Sequence, residues 1–240
     1  MKLHKTIAKA IGYDLTRRKF HPSFDSHLIN LINHNNIDVV LDVGANDGQF
    51  ALNLRSEGYK GEIHSFEPVS IAFENLKRSS LNDKKWFSHK LALGSECGKQ
   101  SINISEGSHL SSFLNPNDYG KKKFESMKVS STETVQVATI DDYLTTKVSN
   151  INKRNILLKM DTQGYDLEVF KGATNTLQYI NCIISEISFT AIYSKMPHYL
   201  DSLRKYEEYG FVITGIYPIN RNEDDLSLIE ADCFMVNSKK

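Results

Sequence analysis

A glycine-containing loop and an acid further along the chain are the first features of this sequence that suit chemistry. The β-branched run 38–43 ends in the loop 44–48, where Gly44 permits a tight turn and close approach of a ligand to the backbone. Glu67 ends the next apolar run, and Pro68 fixes the turn after it. A carboxylate at that position can accept hydrogen bonds from both hydroxyls of an adenosyl ribose. The alternative is that Gly44 and Gly48 only make a turn from strand to helix.

The same loop discriminates between two classes of cofactor. A dinucleotide loop has the pattern G-x-G-x-x-G, whereas this chain has Asn46 and Gln49 after Gly44. A pyrophosphate would therefore lack the close contact with the backbone that glycines at these positions allow. A methionyl sulfonium carries no phosphate, so Asn46 does not hinder its binding. Asp42 can accept hydrogen bonds from an ammonium group. The loop thus favours S-adenosylmethionine, with an NAD-dependent nucleotide-sugar oxidoreductase or epimerase as the alternative.

Two further acids stand at the ends of apolar runs. Asp161 follows the run 156–160, and Glu186 lies at the tip of the next one. If S-adenosylmethionine gives its methyl group to a hydroxyl, the hydroxyl proton must be removed, and a positioned base contributes about 10²–10⁴-fold. We predict Asp161 as the base and Glu186 as the second candidate. The alternatives are a helix cap for Asp161 and an ion pair with a lysine of the insertion described below for Glu186.

Other roles for these polar residues are weaker. The two acids Asp161 and Glu186 would suit Mg²⁺ as oxygen ligands, but nothing in their spacing demands a metal, and we predict none. His64 and His109 are weaker candidates for the base. His64 is more simply a strand histidine whose hydrogen bond is satisfied.

The elements that must position these residues alternate between strand and helix patterns. Such alternation predicts an α/β fold with a largely parallel sheet covered by helices on both faces. A third strand is predicted over the alternating residues 87–93. Two final strands, near 211–217 and 231–236, are joined directly by a polar loop and predict an antiparallel hairpin at one edge. Ligands of such sheets bind outside the carboxyl ends of the strands.

The predicted organisation is an N-terminal helical segment over 1–36 and one domain over 37–240. Within the domain, residues 95–135 are rich in Ser, Asn, Gly and Lys and are interpreted as an insertion with a β-hairpin segment at Ile102 and Ile104. The first twenty residues are basic with a short apolar face. We expect them to pack on the domain or on a partner, although a weak contact with a membrane surface is the alternative.

Composition limits the partners and the compartment. The 240-residue chain has a formal net charge of zero, so no whole-molecule field attracts nucleic acid, and no nucleic-acid partner is expected. Its three cysteines, at 97, 182 and 233, lie far apart without a zinc spacing. Reduced thiols in a cytoplasmic protein are therefore predicted.

Four segments make the chain resemble the FkbM family of methyltransferases. They are VVLDVGANDG at 39–48, FEP at 66–68, TIDDYL at 139–144 and KMDTQGYDLEVFKGA at 159–173. The resemblance implies a Rossmann-like class I methyltransferase fold with seven strands. It also implies S-adenosylmethionine-dependent O-methylation, commonly of sugars or natural products. Family members usually have Glu where this chain has Asp166, so we expect no chemical role for Asp166.

The resemblance also implies a set of site residues. The loop and strand-tip residues expected to hold S-adenosylmethionine are Asp42, Gly44, Ala45, Asn46, Gly48, Glu67 and Pro68. In the insertion, His109, Ser111 and Ser112 would lie over the cofactor cleft and bind substrate, the alternative being a solvated loop. A non-catalytic module with this fold is a third hypothesis. The intact acids Asp42, Glu67 and Asp161 argue against it.

Overall fold

The fold is seen in a computed structural model that describes residues 7, 8, 10–12 and 20–240. Most of the basic segment 1–20 lies outside the described residues, so its predicted helix and contacts stay predictions. Within the described ranges, no helix is both long and apolar enough to cross a membrane.

Ten strands of the described part of the chain form two sheets. In chain order they are β1 Val39–Val43, β2 Glu62–Phe66, β3 Trp86–His89, β4 Ala92–Leu93, β5 Gly98–Ser105, β6 Val129–Ala138, β7 Ile156–Met160, β8 Ile180–Ser188, β9 Phe211–Arg221 and β10 Leu228–Asn237. The larger sheet has the order β3-β2-β1-β7-β8-β10-β9. Strands β1, β2, β3, β7 and β8 are parallel, and β10 is antiparallel to both β8 and β9. The predicted seven-stranded, mostly parallel sheet with a C-terminal antiparallel pair is thus confirmed.

One detail of the sheets differs from the expectation, and a second was not predicted. The strand predicted over 87–93 is wrong as a single element, because β3 ends at His89 and β4 belongs to the smaller sheet. A turn with a hydrogen bond from Leu91 N to His89 O separates the two. The alternating pattern continues across this turn, and alternation alone does not reveal the pairing partner. In the C-terminal pair, the last strand β10 lies inside the sheet and β9 forms the edge.

Seven α-helices are described, α1 Phe24–His34, α2 Gln49–Ser56, α3 Ser70–Ser80, α4 Asp118–Lys123, α5 Ile140–Lys147, α6 Asp166–Lys171 and α7 Tyr199–Glu208. Helices α1, α2 and α3 pack on one face of the larger sheet, and α5, α6 and α7 on the other. Although α1 falls in the segment predicted over 1–36, its buried Leu28, Leu31 and Ile32 join the cluster under α2. The hydroxyl of Thr139 caps α5 by accepting a hydrogen bond from Asp142 N.

The predicted insertion builds the smaller sheet, whose order is β4-β6-β5. Strands β5 and β6 pair antiparallel, but the segment 106–128 joins them in place of a tight turn. Ile102 of β5 packs with Val69 and Ala72 at the start of α3. This contact places the smaller sheet over the carboxyl edge of the larger one, beside the loops after β2 and β3.

Candidate functional site

A cavity of about 390 Å³ lies where the order of the larger sheet reverses between β1 and β7. Its polar walls come from the loop after β1 (Gly44, Ala45, Asn46), the end of β2 (Glu67, Pro68), β7 and its loop (Lys159, Asp161, Thr162, Gln163) and the insertion (Ser108, His109, Ser111, Ser112). Open α/β sheets bind ligands at this position. Nine of the twelve residues predicted from sequence line this single space. Asp42, Gly48 and Glu186 do not.

The loop after β1 is shaped by two left-handed glycines. Gly44 has φ of +76°, and a Cβ at that position would collide with the backbone carbonyl of Asp161. Gly48 has φ of +92°, and its Cβ would lie 2.8 Å from the Trp86 ring. Gly44 therefore allows the loops after β1 and β7 to touch, and Gly48 allows α2 to start close to β3.

Glu67 ties this loop to the end of β2. Its Oε2 accepts a hydrogen bond from Asn46 N at 2.9 Å, and its Oε1 accepts from Val69 N at 2.8 Å. Burial raises the pKa of the Glu67 carboxyl to about 7, although the two backbone N–H donors act in the opposite direction. Each carboxylate oxygen can accept a further hydrogen bond, and the group lines the cavity. The carboxylate therefore holds Asn46 in place and can also receive ligand hydroxyls.

A buried lysine joins the two loops electrostatically. Lys159 Nζ lies 3.3 Å from both Asp42 Oδ1 and Asp161 Oδ2, and it donates to Gly44 O at 3.3 Å. Burial alone would lower the pKa of Lys159, but the carboxylates of Asp161 and Asp42 raise it above its ordinary value. Asp42 is fully buried and accepts from the Ser65 hydroxyl. The ammonium group that Asp42 contacts is therefore that of Lys159 in the same chain.

Asp161 faces the cavity, whereas Glu186 lies behind it. The Asp161 side chain is 38% exposed and accepts from Gln163 Nε2 at 3.2 Å. The same nitrogen lies 3.4 Å from Glu186 Oε1. Asp166, and not Asp161, accepts from Thr162 N in the loop before α6. Asp161 is thus free of the capping role that was its alternative interpretation.

Further carboxyl groups surround Glu186 in place of the lysine partner considered for it. Asp232 lies opposite Glu186 on the neighbouring strand β10. Burial, together with the charges of Asp161 and Glu230, raises the pKa of Glu186 well above its usual range. Burial and the charge of Asp161 raise the pKa of Asp232 to about 7. Carboxyl groups in such a cluster hold protons near neutral pH, because neighbouring negative charges disfavour ionisation.

The insertion reaches both loops. Ser108 Oγ donates to Asn46 Oδ1 at 3.3 Å, and the buried Ser112 donates to the Gln163 carbonyl at 2.8 Å. Ser111 Oγ accepts from Ser105 N within the insertion. His109 lines the cavity. The three predicted substrate residues, His109, Ser111 and Ser112, therefore lie in a wall of the cavity.

The cavity has apolar walls at two ends. Near Glu67, the apolar lining consists of Val69, Leu91, Leu93, Ile102 and Phe113. At the other end lie Phe24 from α1 and Phe50 from α2, and Lys159 Nζ lies 5.5 Å from the centroid of the Phe50 ring. Sequence reasoning missed these aromatic residues. It also missed Lys159, although a lysine inside the apolar run 156–160 is an available signal.

His64 lies elsewhere. Its Nδ1 is 2.8 Å from the Tyr143 hydroxyl, and it does not line the cavity. Burial lowers its pKa. The interpretation as a strand histidine with a satisfied hydrogen bond is therefore the one that the geometry supports. Among the described residues, no group of three or more His, Cys, Asp and Glu side chains is arranged to hold a metal ion.

Comparisons with known proteins agree with the family resemblance. A family model described as the methyltransferase FkbM domain matches residues 42–213. Hexuronic acid methyltransferase AglP of Haloferax volcanii is 27% identical over 192 residues, which are 78% of this chain and 68% of that protein. Methyltransferase sdnD of Sordaria araneosa is 26% identical over 169 residues, or 62% of this chain and 65% of that protein.

A solved structure is similar at lower identity. The methyltransferase FkbM from Methylobacillus flagellatus KT gives a TM-score of 0.49 at 15% identity, covering 82% of this chain. The match covers 44% of that chain, so the present chain spans less than half of its length.

Proposed function

The chain belongs to the FkbM family of methyltransferases, and from that premise we propose that it transfers a methyl group from S-adenosylmethionine to a hydroxyl of a saccharide or related small molecule. The observation that carries the proposal is the shared cavity of Gly44, Glu67 and Asp161 at the switch point of the sheet. Membership of a methyltransferase family removes the NAD-dependent oxidoreductase and the non-catalytic module as alternatives.

The lining residues fit the parts of the cofactor. Glu67 can accept the ribose hydroxyls, and the apolar end near Val69 and Ile102 suits an adenine ring. At the other end, the ammonium of Lys159 suits the methionyl carboxylate, and Asp161 suits the acceptor hydroxyl. Asp42, Ala45, Asn46, Gly48 and Pro68 would hold the loop that surrounds these groups. S-adenosylmethionine supplies a methyl group already activated by a positively charged sulfur.

The residues of this chain must remove the proton of the acceptor and align the acceptor with the methyl group. Asp161 lines the cavity and is partly exposed, so we assign it the proton of the acceptor hydroxyl in preference to Glu186 behind it. The loops after β1 and β7 touch at Gly44 and fix the distance between cofactor and base. Such alignment supplies a large part of the acceleration of a displacement reaction.

The acceptor is proposed from the wall opposite the sheet. His109, Ser111 and Ser112 of the insertion present short polar groups, and the aromatic rings of Phe24 and Phe50 suit the apolar face of a sugar. The name of the Haloferax volcanii relative, a hexuronic acid methyltransferase, supports a saccharide acceptor. We further propose a cytoplasmic protein, which the unpaired Cys97, Cys182 and Cys233 suit.

The substitution Asp161→Asn tests the assignment of the base. Transfer of a labelled methyl group to glycosides of hexuronic acids and of neutral hexoses gives the turnover number. We expect kcat to fall by about 10²-fold or more, because an amide does not accept the proton. Affinity for S-adenosylhomocysteine should change only a few-fold. The control is Asp201→Asn, an exposed acid in α7. Full turnover in Asp161→Asn would contradict the assignment.

A further inference from the structure

Gln163, in the loop between β7 and α6, has an unusual backbone for its residue type. Its φ is +53°, a left-handed value that favours glycine, and the next residue, Gly164, is also left-handed at +86°. Such a conformation is strained for a non-glycine residue and persists where the surroundings enforce it. The side chain is buried, and it lines the cavity. Backbone strain and burial together suggest a role for this amide.

Polar contacts from four segments meet at Gln163. Its Nε2 lies 3.2 Å from Asp161 Oδ1 and 3.4 Å from Glu186 Oε1. Its Oε1 lies 3.0 Å from the Tyr193 hydroxyl oxygen, which is also 2.8 Å from Leu110 O, so one hydroxyl proton lies between the two acceptors. Its backbone carbonyl accepts from the Ser112 hydroxyl. The residue therefore connects the proposed base with β8, with the insertion and with the segment after β8.

The contacts fix both oxygens of the Asp161 carboxylate. Gln163 Nε2 donates to Oδ1, while Lys159 Nζ lies against Oδ2. A carboxylate held at both oxygens keeps one orientation, and its remaining lone pairs are directed by that orientation. The amide nitrogen also contacts a second acid, because it lies 3.4 Å from Glu186 Oε1.

We propose that Gln163 is a positioning residue that orients the carboxylate of Asp161 for the acceptor hydroxyl and links that orientation to the wall formed by Ser112 and Tyr193. This inference rests on the proposed function of Asp161 as the base. The inference assigns a hydrogen-bonding role to the amide of Gln163. Met has a similar length and would replace Gln163 without loss if the side chain only filled space.

Charged groups from several elements surround Asp161. The charged groups that face Asp161 are Lys159, Asp166, Glu186, Glu230 and Asp232. Four of these five are acids, so Lys159 and the N–H donor of the amide are the groups that hold the Asp161 carboxylate in place. Loss of the amide frees the carboxylate to turn away from the acceptor hydroxyl.

The substitution Gln163→Met removes the amide and keeps the length of the side chain. We expect kcat to fall about 10-fold while KM for the acceptor changes by less than about 3-fold, because a misoriented base slows the chemical step and leaves the binding groups in place. Calorimetry should give an affinity for S-adenosylhomocysteine within about 3-fold of the original protein. An unchanged kcat, or a fall in kcat matched by an equal loss of binding, overturns the proposal. The exposed Gln178→Met serves as the control.

A second variant covers the possibility that Gln163→Met does not fold. Tyr193→Phe removes only the hydroxyl that contacts Gln163 Oε1, and it should lower kcat by a smaller factor, again with KM for the acceptor nearly unchanged. An unchanged kcat in this variant overturns the link to Tyr193.

Carbon-13 NMR of labelled aspartate separates this inference from the proposed function. If Asp161→Asn keeps full turnover, Asp161 is not the base, and the kinetic effect of Gln163→Met belongs to another group. The Asp161 carboxyl resonance still reports the surroundings of that carboxylate, and Gln163→Met should change its chemical shift while Gln178→Met leaves it unchanged. A chemical shift that coincides with that of the original protein overturns the positioning role without reference to catalysis.

Discussion

Glu67 combines two tasks in one carboxyl group. It accepts from the backbone N–H groups of Asn46 and Val69, which fixes the loop after β1 against the start of α3. In the proposed complex it also receives the ribose hydroxyls. Because burial raises the pKa of this group to about 7, its charge changes in the range where binding is measured.

Affinity for S-adenosylhomocysteine should therefore rise with pH. Ribose hydroxyls donate best to the ionised carboxylate, so bound ligand favours proton loss from Glu67. We expect the Kd to fall by about 5-fold between pH 6 and pH 8 in calorimetric titrations, a change within the tenfold per pH unit that one proton allows. Glu67→Gln should bind more weakly at every pH and show little dependence on pH.

Asp232 provides the matched control for this titration. Burial and the charge of Asp161 raise its pKa to about 7 as well, and it lines the same cavity. Asp232→Asn should keep the pH dependence if Glu67 is its source. A dependence that survives Glu67→Gln and disappears in Asp232→Asn would move the titrating group to the other end of the cavity.

Among the elements, β1 and β7 with their following loops determine the geometry of the site. The two strands are neighbours at the reversal of strand order, and their loops meet where Gly44 faces the backbone carbonyl of Asp161. A left-handed φ and the lack of space for a Cβ coincide at this glycine. The two requirements can be separated experimentally, because Gly58 has the same kind of φ in open space.

Gly44→Ala should destabilise the protein more than Gly58→Ala. An alanine at φ of +92° in open space should cost about 1 kcal/mol at Gly58. At Gly44 the same strain is joined by a collision with backbone, and we expect about 2–4 kcal/mol. Urea unfolding followed by circular dichroism measures both values. Equal losses would show that the two loops separate easily and that their contact does not fix the site.

These elements also show how far the sequence leads. The run 38–43 with its glycines, and the acids Glu67 and Asp161 at strand ends, are local patterns, and they were sufficient to predict the edge of the sheet where the cavity lies. The split between β3 and β4 and the inner place of β10 depend on long-range pairing, which alternation does not encode. Gln163 was missed because its contacts come from residues distant in sequence, such as Glu186 and Tyr193.

At the scale of the whole molecule, charge is balanced but unevenly distributed. The formal net charge is zero, yet acids gather at one end of the cavity around Lys159. Glu230 is buried there, and its Oε1 has no hydrogen-bond partner, while its Oε2 accepts from Asn220. Burial raises the pKa of Glu230. Because the folded state favours protonated Glu230, the free energy of unfolding should fall as pH rises through the raised pKa of Glu230.

Glu230→Gln should stabilise the protein at high pH. Because the pKa of Glu230 is raised by folding, its favourable contribution is complete below the unfolded carboxyl pKa, about 4.3, and is lost as pH rises through the folded value. Glutamine does not titrate, so the gain in Tm of the variant should be larger at pH 8 than at pH 5. Scanning calorimetry measures it, with exposed Glu223→Gln as the control. The same gain at both pH values would exclude a titrating Glu230.

The central claim is that the cavity between β1 and β7 binds S-adenosylmethionine through Glu67 and the loop after β1. Calorimetric titration of the purified chain with S-adenosylmethionine, its demethylated product and NAD tests it most directly. We predict one molecule of S-adenosylmethionine or its product bound per chain and no heat with NAD. Glu67→Ala should weaken binding by about 2–4 kcal/mol, since two hydrogen bonds to a charged acceptor are lost. Binding of NAD without binding of S-adenosylmethionine, or unchanged affinity in folded Glu67→Ala, would contradict the claim.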